Sequence, residues 1–231
     1  MQKTLSKIKD SLFPAVCAGC GQAQAVLCEP CLASFVRVAT VSCPFCRGIT
    51  GRGETCGRCR RKFTLSGAFV GARINSRLKS SVHTLKYRHG AEIAPMLTKL
   101  TISQIELHGG SLGEVVLVPV PADPKRGKER LYNPPSLIAS EISRRLGYPV
   151  THMLSKKRTT PQQAGLNRGE RLGNLLGAFE IKGRHNLSGK TVILVDDVAT
   201  TFSTLEAAAR TIKPLRPRRI WSAVIGHGRA N

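Results

Sequence analysis

Eight cysteines in one short stretch constrain the fold of this chain more than any other feature. They form four C-x-x-C pairs, and no cysteine follows the last pair: Cys17 and Cys20, Cys28 and Cys31, Cys43 and Cys46, Cys56 and Cys59. A C-x-x-C turn places two sulfurs on one side of a tight backbone turn, and two such turns complete a tetrahedral Zn²⁺ site. The pattern therefore predicts two structural zinc ions bound by these eight residues.

Disulfide bridges are the alternative interpretation of a small module with this many cysteines. Four copies of one short spacing favour metal binding, and residues 1–16 lack an apolar stretch of signal-peptide length. The spacing leaves open which pairs share a metal. Consecutive pairs would enclose loops of seven and nine residues, whereas interleaved pairs would form a cross-brace. Four thiolates around each metal leave no open position, so we expect a structural rather than a catalytic role.

After Lys62 the sequence takes on the pattern of an α/β domain. Predicted strands and helices alternate: strands at 69–74, 114–120, 191–195 and 220–225, and helices at 77–87, 92–106, 134–147 and 204–212. This alternation predicts an open parallel sheet with helices on its faces. The sequence thus divides into a zinc-ribbon module at residues 1–65 and an α/β domain at residues 66–231.

The strand at residues 191–195 runs directly into two adjacent acids, Asp196 and Asp197. The loop that follows is rich in hydroxyl groups and carries Thr200, Thr201, Ser203 and Thr204. Ligands of open α/β sheets bind beyond the carboxyl ends of strands, and helix N-termini bind anions. The combination predicts a sugar-phosphate site. A solvated turn, with Ser203 or Thr204 capping the helix, is the alternative.

The stretch from Val195 to Thr204 resembles the phosphoribosyl pyrophosphate (PRPP) binding motif of type I phosphoribosyltransferases. With the four C-x-x-C pairs in front of it, the chain is similar to the ComF family of competence proteins, in which a double zinc ribbon precedes such a domain. Three further stretches look like that family: Leu85-Lys86-Tyr87, Val118-Pro119-Val120-Pro121 before Arg130-Leu131-Tyr132-Asn133, and Arg158-Thr159-Thr160-Pro161-Gln162-Gln163 before Arg168.

The resemblance implies a role for each part of the motif. Asp196 and Asp197 would hold the ribose hydroxyls of PRPP, and residues 200–204 would bind its 5′-phosphate. Mg²⁺ would accompany the pyrophosphate, which a flexible loop at residues 156–163 would cover. The family also implies a part in DNA uptake and natural transformation.

The chain departs from the family pattern at three places. Phe202 stands where the family usually has Gly, and a phenyl side chain opposes both a positive φ and close approach of the backbone to phosphate. We expect the loop to keep its function if this ring points outward. Tyr132-Asn133-Pro134 replaces the common Phe-Asn-Gln, and Thr200 replaces the acid of purine-salvage relatives, so no general base is assigned.

The net charge favours polyanionic partners. Thirty-six Lys and Arg against 14 acids give +22, which becomes +18 once two Cys₄Zn sites contribute −2 each. Two hypotheses follow: phosphoribosyl transfer from PRPP to an acceptor not yet defined, or binding of single-stranded DNA, together with DNA-uptake machinery, on a phosphoribosyltransferase scaffold. A basic cluster could serve either and consists of Lys125, Arg126, Lys128 and Arg130. No apolar run has transmembrane length, so we expect a cytoplasmic protein without membrane insertion.

Overall fold

The computed structural model describes residues 15–23, 25–35, 42–87, 90–122, 132–157 and 177–228. Its helices are α1 (Glu29–Ala33), α2 (Gly57–Arg60), α3 (Ser76–Tyr87), α4 (Gly90–His108), α5 (Pro134–Leu146) and α6 (Ser203–Ile212). Its strands are β1 (Gly67–Arg73), β2 (Val115–Pro119), β3 (Leu154–Lys156), β4 (Phe179–Ile181), β5 (Thr191–Ala199) and β6 (Arg219–His227).

Four of the strands form one parallel sheet in the order β1-β6-β5-β2. β2 is apolar and buried along its whole length, and β5 is apolar and buried from Val192 to Val195, as expected for parallel strands covered on both faces. β3 and β4 pair separately as an antiparallel hairpin. The prediction of an α/β protein with an open parallel sheet is confirmed.

Side chains of successive strand residues alternate between two separate cores, one on each face of the sheet. On the first face, Phe69 and Ile193 pack with helices α3, α4 and α5. On the second face, Val70 and Leu194 pack with helix α6 and the hairpin. The cysteine-rich segments follow the same division: residues 17–35 (the first cysteine module) contribute to the first core, and residues 42–62 (the second cysteine module) contribute to the second. Each module is thus docked on its own face of the sheet.

The predicted elements agree with the structure apart from their bounds. Helix α5 ends where the sequence indicates, because Gly147 adopts φ 74° and closes it in the left-handed conformation. The strand predicted to stop at residue 195 instead continues through both acids to Ala199. The reason is its neighbour: β6 is equally long, and Val198 and Ala199 still pair with Gly226 and His227.

Candidate functional site

The eight cysteines gather into two groups of four, and within each group the Sγ atoms all lie within 4.8 Å of one another. The groups are Cys17, Cys20, Cys28 and Cys31, and Cys43, Cys46, Cys56 and Cys59. Consecutive pairs therefore share a site, which decides between the two arrangements that the spacing allowed. None of the eight forms a disulfide.

The sulfur positions fit a tetrahedral metal. The Sγ–Sγ distances are 3.5 Å for Cys17 and Cys28, 3.7 Å for Cys20 and Cys28, and 3.6 Å for Cys46 and Cys56. A Zn–S bond of about 2.3 Å gives a tetrahedral edge of about 3.8 Å, close to these values. Two four-cysteine sites that could hold Zn²⁺ are thus formed by the fold.

Backbone N–H groups around one sulfur favour the thiolate that a metal requires. The N–H groups of Gly19 and Cys28 donate to Cys17 Sγ over 3.4 and 3.3 Å. Although burial acts to raise the pKa of Cys17, these backbone hydrogen bonds lower it to about 6. Burial raises the pKa of Cys31 in the same group to about 12, so the four thiols are not equivalent before a metal binds.

The two acids stand where the carboxyl end of β5 passes the end of helix α3. Asp197 is only 8% exposed, and its Oδ2 lies 2.8 Å from Lys86 Nζ in an ion pair. Lys86 belongs to the last turn of α3 and to the Leu85-Lys86-Tyr87 stretch that resembles the ComF family. Sequence reasoning gave it no role, because nothing local shows that α3 ends beside a strand more than a hundred residues away.

The pKa of the Asp196 carboxyl is raised well above its ordinary value. Burial is the largest influence, the negative charge of Asp197 is the second, and together they raise the pKa of Asp196 to about 7. The N–H of Asp197, which donates to Asp196 Oδ1 over 2.8 Å, and the charges of Lys86 and Lys156 act in the opposite direction. Near neutral pH this carboxyl can therefore donate or accept a hydrogen bond, which suits it to the hydroxyls of a sugar.

Residues 200–204 join β5 to helix α6, and we call them the phosphate loop after the role that the sequence predicts for them. Thr200 is exposed, and the hydroxyls of Thr201 and Ser203 are hydrogen-bonded to each other over 2.9 Å. The N-cap of α6 is Phe202, so the interpretation of Ser203 or Thr204 as a capping residue is wrong. Among the described residues no side chain caps this N-terminus, and the first N–H groups of a helix are the kind of donors that bind anions.

Phe202 does not meet the condition set from the sequence, that its ring should point outward. It adopts φ 60° and ψ 11°, the left-handed conformation that Gly would take, although it carries a phenyl ring. The ring does not point outward: it is 2% exposed and packs in the second core, where its centroid lies 5.0 Å from that of His227 and 6.3 Å from that of Phe45. The side chain thus leaves the outer side of the loop to backbone and hydroxyl groups.

The Tyr132-Asn133 stretch supports the neighbouring edge of the sheet. Asn133 Nδ2 donates to the carbonyl of Val120 over 3.0 Å, just beyond β2. Tyr132 lies so close to Gly90 that a Cβ at that position would be 2.0 Å from the tyrosine Oη. The other predicted site elements lie outside the described residues: the basic cluster at 125–130, residues 158–163 of the predicted flexible loop, and Arg168.

A parallel sheet with adjacent acids and a hydroxyl-rich loop at its carboxyl edge defines a phosphoribosyltransferase-type domain, here joined to two cysteine modules. The family described as phosphoribosyl transferase domain matches residues 136–230. The chain is 29% identical over 192 residues to DNA utilization protein YhgH of Salmonella typhi, covering 80% of this chain and 83% of that protein. It is 25% identical to competence protein ComFC of Bacillus subtilis, covering 80% and 77%. It is 33% identical over 101 residues to competence protein F of Haemophilus influenzae, covering 43% and 44%. This likeness to competence and DNA utilization proteins supports the resemblance to the ComF family that the motifs indicate.

No helix in the described part of the chain combines the length and apolar composition needed to cross a membrane.

Proposed function

We propose that the protein binds PRPP at the carboxyl edge of its parallel sheet. The observation that carries the proposal is that two acids, a hydroxyl-rich loop and a helix N-terminus without a side-chain cap occupy one strand–loop–helix unit. Asp196 and Asp197 accept hydrogen bonds from the ribose hydroxyls. The 5′-phosphate binds the phosphate loop through the hydroxyls and backbone N–H groups of its polar members, which are Thr200, Thr201, Ser203 and Thr204.

Charge at the site supports a phosphorylated ligand. The uncapped start of α6 carries the positive end of the helix dipole, which stabilises an anion in the first turn. Lys86 and Lys156 both act on the acidity of Asp196 and so lie near the pair of acids. Carboxylate oxygens are ligands that suit Mg²⁺, which when bound with the pyrophosphate lowers the charge of the leaving group. The acceptor of a phosphoribosyl group is left open.

Calorimetric titration of the zinc-loaded protein with PRPP and Mg²⁺ tests this proposal. Wild-type protein is expected to bind, and the double variant Asp196→Asn with Asp197→Asn is expected to lose binding. The matched control, Glu106→Gln with Glu141→Gln, removes the same charge from the ion pairs with Arg145 and Arg144 and is expected to keep binding. Absence of binding by the wild type, or equal binding by both double variants, would refute the proposal.

A second function, contact with single-stranded DNA, is favoured by the unequal charges of the two cysteine modules. The first module contains no Lys or Arg and one acid, Glu29. The second has one acid, Glu54, and six exposed basic residues: Arg47, Arg52, Arg58, Arg60, Arg61 and Lys62. Ile49, at the tip of this module, is 91% exposed. Such a basic face attracts phosphates, and several relatives are named for competence or DNA utilization. We place this function in the cytoplasm, beside the DNA-uptake machinery.

The salt dependence of DNA affinity distinguishes a localised basic face from general charge. Replacing Arg58, Arg60 and Arg61 by Gln should weaken binding of a single-stranded oligonucleotide and reduce the slope of log K against log salt by about 2, since each phosphate contact on a single strand contributes about 0.7. The control removes three exposed charges beside β6 and consists of Lys213→Gln, Arg218→Gln and Arg219→Gln. Equal effects of the two triple variants would exclude the second module as the DNA site.

A further inference from the structure

We propose that Phe45 of the second cysteine module is a positioning residue for the phosphate loop, because it holds Phe202 in the left-handed conformation that the loop requires. The inference rests on the proposed PRPP site. It concerns residues far apart in the sequence, and it gives the second module a part in sugar-phosphate binding as well as in folding.

The backbone of Phe202 needs support from outside the loop. A non-glycine residue at φ 60° is strained, and such a conformation persists only when contacts with the surrounding structure hold it in place. This residue also begins the helix: its carbonyl accepts a hydrogen bond from the N–H of Glu206 over 2.8 Å. If Phe202 relaxed to negative φ, the N–H groups at the start of α6 would turn away from their common direction.

The support comes from two aromatic rings that contact the ring of Phe202. Phe45 meets the Phe202 ring edge to face, with an interplanar angle of 64°, and His227 packs at a tilt of 47°. Phe45 is also stacked on Phe63, with ring centroids 3.7 Å apart and planes at 5° to each other. Phe45 therefore contacts both Phe63, the residue that follows the second module, and the ring that enters from the loop.

The backbone of Phe45 is held by a hydrogen-bonded turn within the second four-cysteine group. It lies between Cys43 and Cys46, two members of the second four-cysteine group. The turn around it is closed by hydrogen bonds from the N–H of Cys43 to the carbonyl of Gly48 and from the N–H of Arg47 to the carbonyl of Cys43, over 2.8 and 2.9 Å. Because this turn is short and hydrogen-bonded, the Phe45 side chain cannot readily shift if the Phe202 ring changes position.

A second tie joins the same module to the other end of this unit. Glu206, in the first turn of α6, is 1% exposed and accepts hydrogen bonds from the N–H groups of Thr64 and Leu65, which lie two and three residues beyond the second module. The side chain of Phe45 thus contacts the loop at Phe202, and the backbone N–H groups of Thr64 and Leu65 hold the first turn of α6 at the Glu206 carboxylate. Of these two contacts, only that of Phe45 involves Phe202, the residue in the left-handed conformation.

A double-mutant cycle tests whether Phe45 acts through Phe202. Phe45→Leu keeps a buried apolar side chain and removes the ring edge, and Phe202→Gly removes the need for support, because Gly adopts positive φ without strain. In the wild-type background Phe45→Leu should weaken PRPP binding about 3- to 10-fold, the range that one aromatic pair contributes. In the Phe202→Gly background the same change should alter affinity less than twofold.

Two further measurements separate positioning from loss of structure. Each variant should retain two equivalents of zinc. Phe69→Leu, which removes a buried ring stacked on Trp221 in the first core, should leave PRPP affinity unchanged. Equal weakening by Phe45→Leu in both backgrounds, or no weakening in either, would overturn the inference.

Hydrogen exchange tests the inference even if the wild-type protein proves not to bind PRPP. The N–H of Glu206 reports on the turn at Phe202, whereas the N–H of Ala223, in the centre of β6, reports on opening of the sheet. Phe45→Leu should accelerate exchange at Glu206 severalfold more than at Ala223. Equal acceleration at both sites would show that Phe45 stabilises the fold without positioning the loop. Failure of PRPP binding with selective exchange at Glu206 would refute the proposed function alone.

Discussion

The Phe202→Gly variant should be more stable than the Phe202→Ala variant, whereas inside a helix or strand Ala normally gives the more stable protein. Both variants remove a ring that is 2% exposed, and deletion of a buried Phe side chain costs about 3–5 kcal/mol. They differ at the backbone. Ala keeps the strain of the left-handed conformation, about 1–2 kcal/mol. Gly has no such strain, but its unfolded chain is more flexible, so that folding costs about 0.5–1 kcal/mol more conformational entropy than with Ala. The Gly variant should therefore be the more stable by about 0.5–1 kcal/mol.

Urea unfolding of the zinc-loaded proteins, compared at a shared m-value, measures this difference. The same two substitutions at Phe69 provide the control, since Phe69 is fully buried in the middle of β1 and has no positive φ. There Ala should be more stable than Gly by about 0.5–1 kcal/mol. If Phe202→Ala is at least as stable as Phe202→Gly, the left-handed conformation of the loop is wrong, and the positioning role of Phe45 loses its basis.

Three further predictions concern Glu206, Asp196 and the cysteine groups. Glu206→Ala should lower the free energy of unfolding by about 3–4 kcal/mol in urea, because the N–H groups of Thr64 and Leu65 lose a charged acceptor; Glu141→Ala, in an exposed pair, should cost less than about 0.5 kcal/mol. The pKa of Asp196 is raised in the folded protein to about 7, so the folded protein holds a proton there that the unfolded chain has released. The stability that this protonation contributes is complete at a pH below the ordinary carboxyl pKa and is lost as the pH rises to about 7. Asp196→Asn should therefore gain stability relative to wild type between pH 5 and pH 8 in thermal unfolding, and a constant difference would contradict the assigned acidity. Chelation should release two zinc equivalents and expose both cores to hydrogen exchange, whereas loss of only one equivalent would show that one cysteine group binds no metal.

The features that sequence reasoning located correctly are those encoded over a few residues. Each C-x-x-C turn, the apolar run of β5 and the acids at its end are local patterns, and the structure brings their members together as expected. The pairing of the cysteines was not encoded locally, because both arrangements satisfy a tetrahedral metal. The division of the chain between residues 65 and 66, and the role of each site residue, stay predictions.

The features that sequence reasoning missed depend on contacts between distant segments. The length of β5 is set by β6, which pairs with it as far as Ala199. The ion pair of Asp197 requires the end of α3 to meet the end of β5, and Lys86 looks like any exposed helical lysine in the sequence. Phe202 was judged by the general preference for Gly at positive φ, and only the packing of Phe45 and His227 shows how a phenyl ring is accommodated.

The most direct test of the account is a crystal structure of the zinc-loaded protein with PRPP and Mg²⁺, at concentrations that saturate binding in calorimetry. If this edge of the sheet is the PRPP site, the ribose hydroxyls should lie against Asp196 and Asp197 and the 5′-phosphate within the loop at residues 200–204, with the Phe202 ring still packed on Phe45. Density for PRPP elsewhere on the protein, or no density under saturating conditions, would contradict the assignment of this edge of the sheet as the PRPP site.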